Sequence, residues 1–384
     1  MPKTLRVLHV EDQEGDVALL TRHLSRAGYD LLSERVDTAA AMRSALETQE
    51  WNVILCDYSM PQFSAVAALA LVREMALDLP FIIISGTIGE ELAVAAMKNG
   101  AQDYIMKGNL ARLIPAVHRE LREAMERRQR KQAENQLRQT QEQFRVAREI
   151  QQRLFPKFAP RFGPFEIAGA SIPAEATGGD YFDYLPMADG CLGIVVADVT
   201  GHGVGPALLM AETRAYLRTL VTGAMDAGEI LTQANRMLAE DVDFERFVTL
   251  MLVKLDAASQ SLVYTSAGHP TCYVLQASGQ IKTLLKRTGA PLGVQQDTPY
   301  AASPAIGLSL GDTVLLLTDG FEEAESPEDE LFGVQRILDV ARVHSGATAG
   351  QILEALFAAV RDFSKNQPQL DDLTLVVVKV TAPA

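Results

Sequence analysis

Cysteine is scarce in this chain, with three in 384 residues, at Cys56, Cys191 and Cys272. They lie far apart without metal-ligand spacing, which excludes a disulfide scaffold and a cysteine-rich zinc site and leads to the expectation of a reduced, cytoplasmic protein. Long apolar runs are missing too. No window approaches about eighteen uninterrupted apolar residues, so no membrane span is expected. The short apolar run at 5–10 is too brief for a signal peptide, and no cleavage pattern follows it. Basic charge is in deficit: 35 Lys and Arg against 49 Asp and Glu leave a net charge of -14, which argues against a nucleic-acid surface. Aromatics make up only 6%, so the core of this 48% hydrophobic chain has to be aliphatic.

The length suits two domains and a connector, and the texture divides into 1–110, 111–156 and 157–384. In the first segment, apolar runs at 5–10, 53–56, 81–84 and 104–106, with a weaker one at 31–36, alternate with helical patterns such as 17–24 and 65–75. That alternation predicts βαβ units, a parallel sheet with helices on both faces, and ligands at the carboxyl ends of the strands. Those ends carry Glu11 and Asp12, Asp57, Ser85 and Lys107. Carboxylates of this kind suit Mg²⁺, and a hydroxyl and an ammonium suit phosphoryl oxygens.

The segment resembles the CheY-like response-regulator receiver family, through Val10-Glu11-Asp12, Cys56-Asp57-Tyr58-Ser59-Met60-Pro61, Ile84-Ser85-Gly86 and Asp103-Tyr104-Ile105-Met106-Lys107. The resemblance implies a doubly wound, five-stranded parallel sheet. It implies that Asp57 accepts a phosphoryl group from a histidine kinase. Glu11, Asp12, Asp57 and the backbone carbonyl of Ser59 would hold Mg²⁺, Ser85 and Lys107 would read the phosphoryl group, and Tyr104 would be the rotating aromatic. Where the family usually has proline after the lysine, this chain has Gly108.

The connector has no glycine, and its only proline before the terminal Pro156 is Pro115, near its start, so its composition predicts a long helix ending before Pro156. Between 112 and 153, eleven basic side chains face six acidic ones. Two pieces show heptad spacing: Ile114, Val117, Leu121 and Ala124, then Ala133, Leu137, Thr140, Phe144, Ala147, Gln151 and Leu154. They are out of phase, with a polar patch at 127–132 between them. A homodimeric coiled coil with a phase break is expected, able to pass on a change in helix packing. A solvated helix packed on its own domains is the alternative.

In the third segment, strand-like runs follow one another at 165–170, 191–197, 247–255, 262–266, 271–275, 313–317 and 373–380, with paired helices at 205–220 and 227–240 and at 334–343 and 349–363. This predicts an α+β domain with antiparallel sheets and helices outside. Asp180, Asp198, Asp319 and the pair Asp371–Asp372 stand beside strands, three of these sites flanked by glycine. Carboxylates from four distant stretches suit a binuclear Mn²⁺ or Mg²⁺ centre, whereas His202 and His269 are isolated and no Cys/His cluster suggests zinc. Two such ions can activate water for in-line attack on a phosphoryl group, so no nucleophilic side chain is needed.

The set resembles the SpoIIE- and RsbU-like branch of the metal-dependent serine/threonine phosphatases (the PPM family). The stretches are Gly178-Gly179-Asp180-Tyr181-Phe182-Asp183, Ala197-Asp198-Val199-Thr200-Gly201-His202-Gly203, Ala267-Gly268-His269-Pro270, Gly289-Ala290-Pro291-Leu292-Gly293, Thr318-Asp319-Gly320-Phe321-Glu322-Glu323 and Asp371-Asp372-Leu373-Thr374. The resemblance implies an antiparallel β-sandwich flanked by helices. Asp198 would bridge two metals, Asp180 and the Val199 carbonyl would complete one site, and Asp319 and Asp371 the other, with Asp372 as second choice to Asp371. The helices at 205–220 and 227–240 would order the metal site, with His202 and Asp183 in support. The activity implied is dephosphorylation of phosphoserine or phosphothreonine, the substrate being an anti-sigma-factor antagonist of the STAS type. Phosphorylation of Asp57 is expected to activate it. The alternative is a non-enzymatic adaptor that binds sigma-factor regulators, and lost carboxylates would have favoured it.

Overall fold

The computed structural model describes residues 3–86, 94–95, 97–242, 246–365 and 367–382. The chain divides into two compact units, Met1–Gln139 and Thr140–Ala384.

The first unit is built on β1 (Lys3–Val10), β2 (Tyr29–Val36), β3 (Val53–Asp57), β4 (Phe81–Ser85) and β5 (Asp103–Met106). All pair in parallel, in the order β2-β1-β3-β4-β5. Phe81-Ile82-Ile83-Ile84 is buried throughout because β4 is covered on both faces, which is why it reads as a continuous apolar run. One face packs Met42, Leu69, Val72 and Ile83 with helices α2 (Ala39–Thr48) and α3 (Ala65–Glu74). The other packs Leu20 and Leu24 of α1 (Glu14–Arg26) with Leu55, Ile82 and Ile84. Thr38 and Ser64 cap α2 and α3 by accepting from the Ala41 and Ala67 amides.

Helix α4 (Leu113–Gln152) runs for 40 residues and carries Pro115 in its first turn, where no intrahelical donor is lost. Its first heptad piece is not a free seam. Val117 lies in the core of the first unit, and Ile114 and Leu121 pack against that core. The second piece leaves Leu137 and Phe144 exposed. The two pieces are out of phase because the first answers to the receiver sheet rather than to a second helix.

The second unit holds two antiparallel five-stranded sheets, ordered β13-β10-β9-β8-β7 and β12-β11-β14-β15-β6. The first comprises β7 (Tyr181–Pro186), β8 (Leu192–Val199), β9 (Val248–Asp256), β10 (Ser261–Ala267) and β13 (Ile306–Gly307). The second comprises β6 (Phe165–Ile172), β11 (Cys272–Leu275), β12 (Ile281–Leu285), β14 (Thr313–Leu317) and β15 (Leu373–Val380). Side chains of both sheets, among them Ile194, Val196, Met251, Val314, Leu316 and Val376, share one core, the interior of a sandwich. Outside the first sheet lie α5 (Val204–Leu220) and α6 (Ala227–Asp241), burying Leu209, Leu217, Ile230 and Leu231. Outside the second lie the short α7 (Gly320–Glu323), α8 (Gly333–Val343) and α9 (Ala349–Phe363), burying Phe321, Ile337, Ile352 and Leu356.

Three strands were not expected. β7 hides behind its buried Asp183 and its terminal proline, β12 is a half-exposed edge, and β13 is two residues long. Among the described residues no helix is long and apolar enough to cross a membrane.

Candidate functional site

Two acidic sites stand at strand ends, one in each unit. In the first unit, β1 and β3 are neighbours, so Glu11, Asp12 and Asp57 meet although 45 residues separate Asp12 from Asp57. An oxygen of each lies within 4.8 Å of the others. Lys107, just past β5, reaches across with its Nζ 2.9 Å from Asp57 Oδ2 and 3.0 Å from Glu11 Oε2. It also bonds Asp16, in the first turn of α1, a contact no sequence motif signalled. Burial lifts the Glu11 carboxyl to about 7, against the Lys107 hydrogen bond and the Gln13 amide that pull it down. Burial also lowers the Lys107 ammonium, but its bonds to Asp16, Asp57 and Glu11 outweigh this and leave it raised.

Ser85 is buried at the end of β4, and Tyr104 packs against the sheet's core. The Ser59 amide donates to Asp57 Oδ1 at 3.4 Å. The Lys107–Gly108 bond is trans, like the other described peptide bonds, and a Cβ at Gly108 would meet nothing within 4 Å.

In the second unit, Asp198 is the penultimate residue of β8, Asp180 directly precedes β7, Asp319 directly precedes α7, and Asp371 lies two residues before β15. Antiparallel pairing of β7 with β8 brings the first two together. Asp180 is 3% exposed and accepts from Thr318 Oγ1 at 2.8 Å, and Thr318 Oγ1 in turn accepts from the Thr374 amide. Burial first, then Asp198 and Asp372, raises its pKa. The Asp198 carboxyl is pushed up to about 7 by burial, then by Asp319, Asp371, Asp372 and Glu323. Burial also raises Asp371, the Asp372 amide opposing it and Asp319 adding to it. Among the described residues, Asp180, Asp198, Asp319 and Asp371 form no ion pair with Lys, Arg or His.

The adjacent aspartates have different occupations. Asp372 accepts the Ala174 amide at 2.8 Å and the Asp180 amide at 3.2 Å, so both its oxygens hold backbone. Asp371 is exposed, and among the described residues its carboxylate engages only the Asp372 amide, through Oδ1. Gly179 leaves open the space before the Val199 carbonyl, where a Cβ would sit 2.5 Å from that oxygen. At Gly320 a Cβ would come within 2.1 Å of the Asp372 carbonyl.

These donors fit divalent ions. They are hard oxygens, they repel one another, and among the described residues no ammonium or guanidinium pairs with them. Among the described residues no three of them crowd as closely as the first unit's trio. That spacing suits cations that keep water in their shells, as Mg²⁺ does.

Other residues act at one remove. His269 is fully buried and links two strands. Its Nε2 lies 3.1 Å from the Leu317 carbonyl, so it carries the proton there, and Nδ1 accepts from Thr249 Oγ1 at 3.2 Å. Burial lowers its pKa to about 4, keeping it neutral. Thr249 pairs with Asp198, and Leu317 stands two residues before Asp319, so this ring sets the spacing of two carboxylates.

Gln151, expected in a helix seam, is instead buried with its amide closed on Gly178. Its Nε2 donates to the Gly178 carbonyl at 2.7 Å, and the Gly178 amide donates back at 3.1 Å. Asp183 is fully buried in β7. It takes a bidentate bond from Arg218 of α5 at 2.7 and 2.8 Å, plus the Tyr181 hydroxyl at 2.7 Å, and so fixes that helix to β7. His202 is exposed and lies 3.1 Å from Glu175.

Comparison with known proteins agrees with this geometry. The family model "Stage II sporulation protein E (SpoIIE)" matches residues 188–381, and "Response regulator receiver domain" matches 7–118. Protein IcfG of Synechocystis sp. is 24% identical over 398 residues, covering 97% of this chain, and the chain spans 58% of that protein's length. Phosphoserine phosphatase RsbU of Bacillus subtilis is 24% identical over 239 residues, covering 62% of this chain and 70% of RsbU. Among solved structures, the SiaA-PP2C domain of Pseudomonas aeruginosa superposes with a TM-score of 0.55 at 25% identity, covering 63% of this chain and 98% of that one.

Proposed function

Because this chain belongs to the Stage II sporulation protein E (SpoIIE) family and carries a receiver domain ahead of the matched region, we propose that it is a response regulator whose output is dephosphorylation of phosphoserine or phosphothreonine on a partner protein. The observation that carries this reading is the gathering of Asp180, Asp198, Asp319 and Asp371 without a cationic partner among the described residues. In this reading Asp198 would serve two Mn²⁺ or Mg²⁺ ions. Asp180 and the Val199 carbonyl would help hold one of them, and Asp319 and Asp371 the other. Asp371 is favoured over Asp372 because Asp372 already holds two backbone amides. Bound there, the ions supply charge neutralisation for a phosphoryl group and acidify water. The chain's own residues set the geometry: Thr318 orients Asp180, His269 spaces the strands of Asp198 and Asp319, and Gly179 clears the Val199 carbonyl.

The input is phosphorylation of Asp57 by a histidine kinase, with Mg²⁺ held by Glu11, Asp12, Asp57 and the Ser59 carbonyl. Ser85 and Lys107 receive the phosphoryl oxygens, and Tyr104 responds. A phosphoryl group at Asp57 competes for the Lys107 ammonium that now joins Asp57, Glu11 and Asp16, and this exchange is the trigger. The domains run 1–110, 111–156 and 157–384. The middle one pairs with a second copy through Leu137 and Phe144, which are exposed. The substrate is a phosphorylated anti-sigma-factor antagonist of the STAS type in the cytoplasm, and phosphorylation of the receiver activates. An adaptor without catalysis is disfavoured because all four carboxylates are present. The test is Mn²⁺-dependent hydrolysis of p-nitrophenyl phosphate by the full chain and by Asp198→Ala. Loss of activity in the variant supports the reading, and a parent chain inert on this ester and on every phosphoprotein offered would defeat it.

A further inference from the structure

Beside the carboxylates of the second unit lies a groove of about 880 Å³, at the upper end of the volumes that ligand sites occupy. Its walls are mainly apolar, supplied by Ile172, Leu331, Phe357, Leu370 and Leu373. Three of these face water: Leu370 is 72% exposed, Leu331 52% and Ile172 46%. Exposed apolar side chains gathered in one concavity mark a surface that binds something.

The fold holds this rim in place. Gln369 Nε2 donates to the Ile172 carbonyl at 2.8 Å and to the Asp371 carbonyl at 2.5 Å, pinning the segment that carries Leu370. Leu331 bridges Glu325 across a tight turn closed by the Ser326 amide on the Glu330 carbonyl at 2.9 Å.

One end of the groove is the candidate active site itself. Asp371 and Glu323 line it, together with Gly320, the residue next to Asp319 in the chain. Whatever lies in the groove therefore emerges at the carboxylates. Glu323, Glu325 and Asp371 outnumber the one cation in the lining, Arg361, so an acidic occupant is repelled.

We infer that this groove seats the stretch of phosphoprotein next to the phosphorylated residue, and that it selects apolar side chains over acidic or small polar ones. The inference rests on the phosphatase reading above and adds a substrate preference to it. A small phosphate ester would engage only the carboxylate end. A protein chain carries its phosphoryl group on a short side chain and must lay its neighbouring residues against the enzyme, where the apolar wall is.

The test uses the full chain with Mn²⁺ and two phosphoserine peptides of equal length. One has Leu and Val flanking the phosphoserine, and the other has Ser and Asn at those positions. The ratio of kcat/KM for the apolar peptide over the polar one is expected to be about ten or more, from burial of one or two aliphatic side chains. In Leu331→Asp and Leu370→Asp, two exposed sites whose folding circular dichroism checks, the ratio is expected to fall to near one. A ratio near one in the parent chain overturns the inference, as does a preference that survives both substitutions. If the parent hydrolyses neither peptide nor p-nitrophenyl phosphate, the phosphatase reading fails and takes this one with it. Hydrolysis of p-nitrophenyl phosphate without peptide preference overturns the groove alone.

Discussion

The two acidic sites of this chain are built alike and balanced differently. Each collects carboxylates at strand ends that are neighbours in a sheet and distant in sequence. In the first unit the chain supplies its own cation, since Lys107 touches Asp57, Glu11 and Asp16. In the second unit no described cationic side chain pairs with Asp180, Asp198, Asp319 or Asp371, and burial, followed by repulsion from Asp319, Asp371, Asp372 and Glu323, pushes the Asp198 carboxyl up to about 7. The first site therefore already holds a cationic partner for Asp57, one that the proposed phosphoryl group could draw away. The second is incomplete until cations come from outside. One arrangement suits a switch, the other a catalytic centre.

The largest effect is expected at Asp198. Asp198→Asn removes the carboxylate proposed to serve both ions and is expected to lower kcat/KM on p-nitrophenyl phosphate by about a thousandfold, on the scale of losing a principal electrostatic contact. It should also abolish the rise in melting temperature that Mn²⁺ gives the second unit, since an ion that binds only the folded state stabilises it. Lys107→Met makes the first site resemble the second. Stripping a charged donor from the buried Glu11 and half-buried Asp57 is expected to cost about 2 kcal/mol of receiver stability in urea unfolding. Added Mg²⁺ should recover part of that loss, and stability indifferent to the substitution would show that the ammonium is not the balancing charge. The smallest effect is at Gln151→Ala, which frees the Gly178 backbone two residues from Asp180. About a tenfold loss of activity is expected, as for a residue that orients a metal ligand, with the Mn²⁺ concentration for half activity shifted upward. A change in kcat alone, with Mn²⁺ dependence untouched, would assign Gln151 a different role.

Much of this arrangement is legible in the sequence because strand ends announce themselves. Asp57 ends an apolar run, Asp198 and Asp319 follow apolar runs and precede glycine-containing turns, and the sheets then do what parallel and antiparallel pairing require. The fold class followed from the same periodicities. Contacts made by side chains on helices were not legible. Asp16 looks like any acidic residue in a first helical turn, where it favours the helix dipole, and only the sheet order brings Lys107 to it. Gln151 fits a heptad position by spacing, yet it is buried on Gly178, because spacing says which face a residue is on and not what meets that face. The phase break in the connector has the same origin: Val117 belongs to the receiver's core, while Leu137 is exposed. Asp183 stands in a glycine-aspartate motif but serves Arg218, and the choice between Asp371 and Asp372 needed the backbone amides that Asp372 holds.

On this reading the second site imports its cations, whereas Lys107 supplies one to the first. Counting bound Mn²⁺ by electron paramagnetic resonance tests the difference. The parent chain is expected to hold about three ions, one at the receiver and two at the phosphatase site. Asp198→Asn should keep only the receiver's ion, and Asp57→Asn should lose only that one. Unchanged binding in Asp198→Asn would contradict the claim.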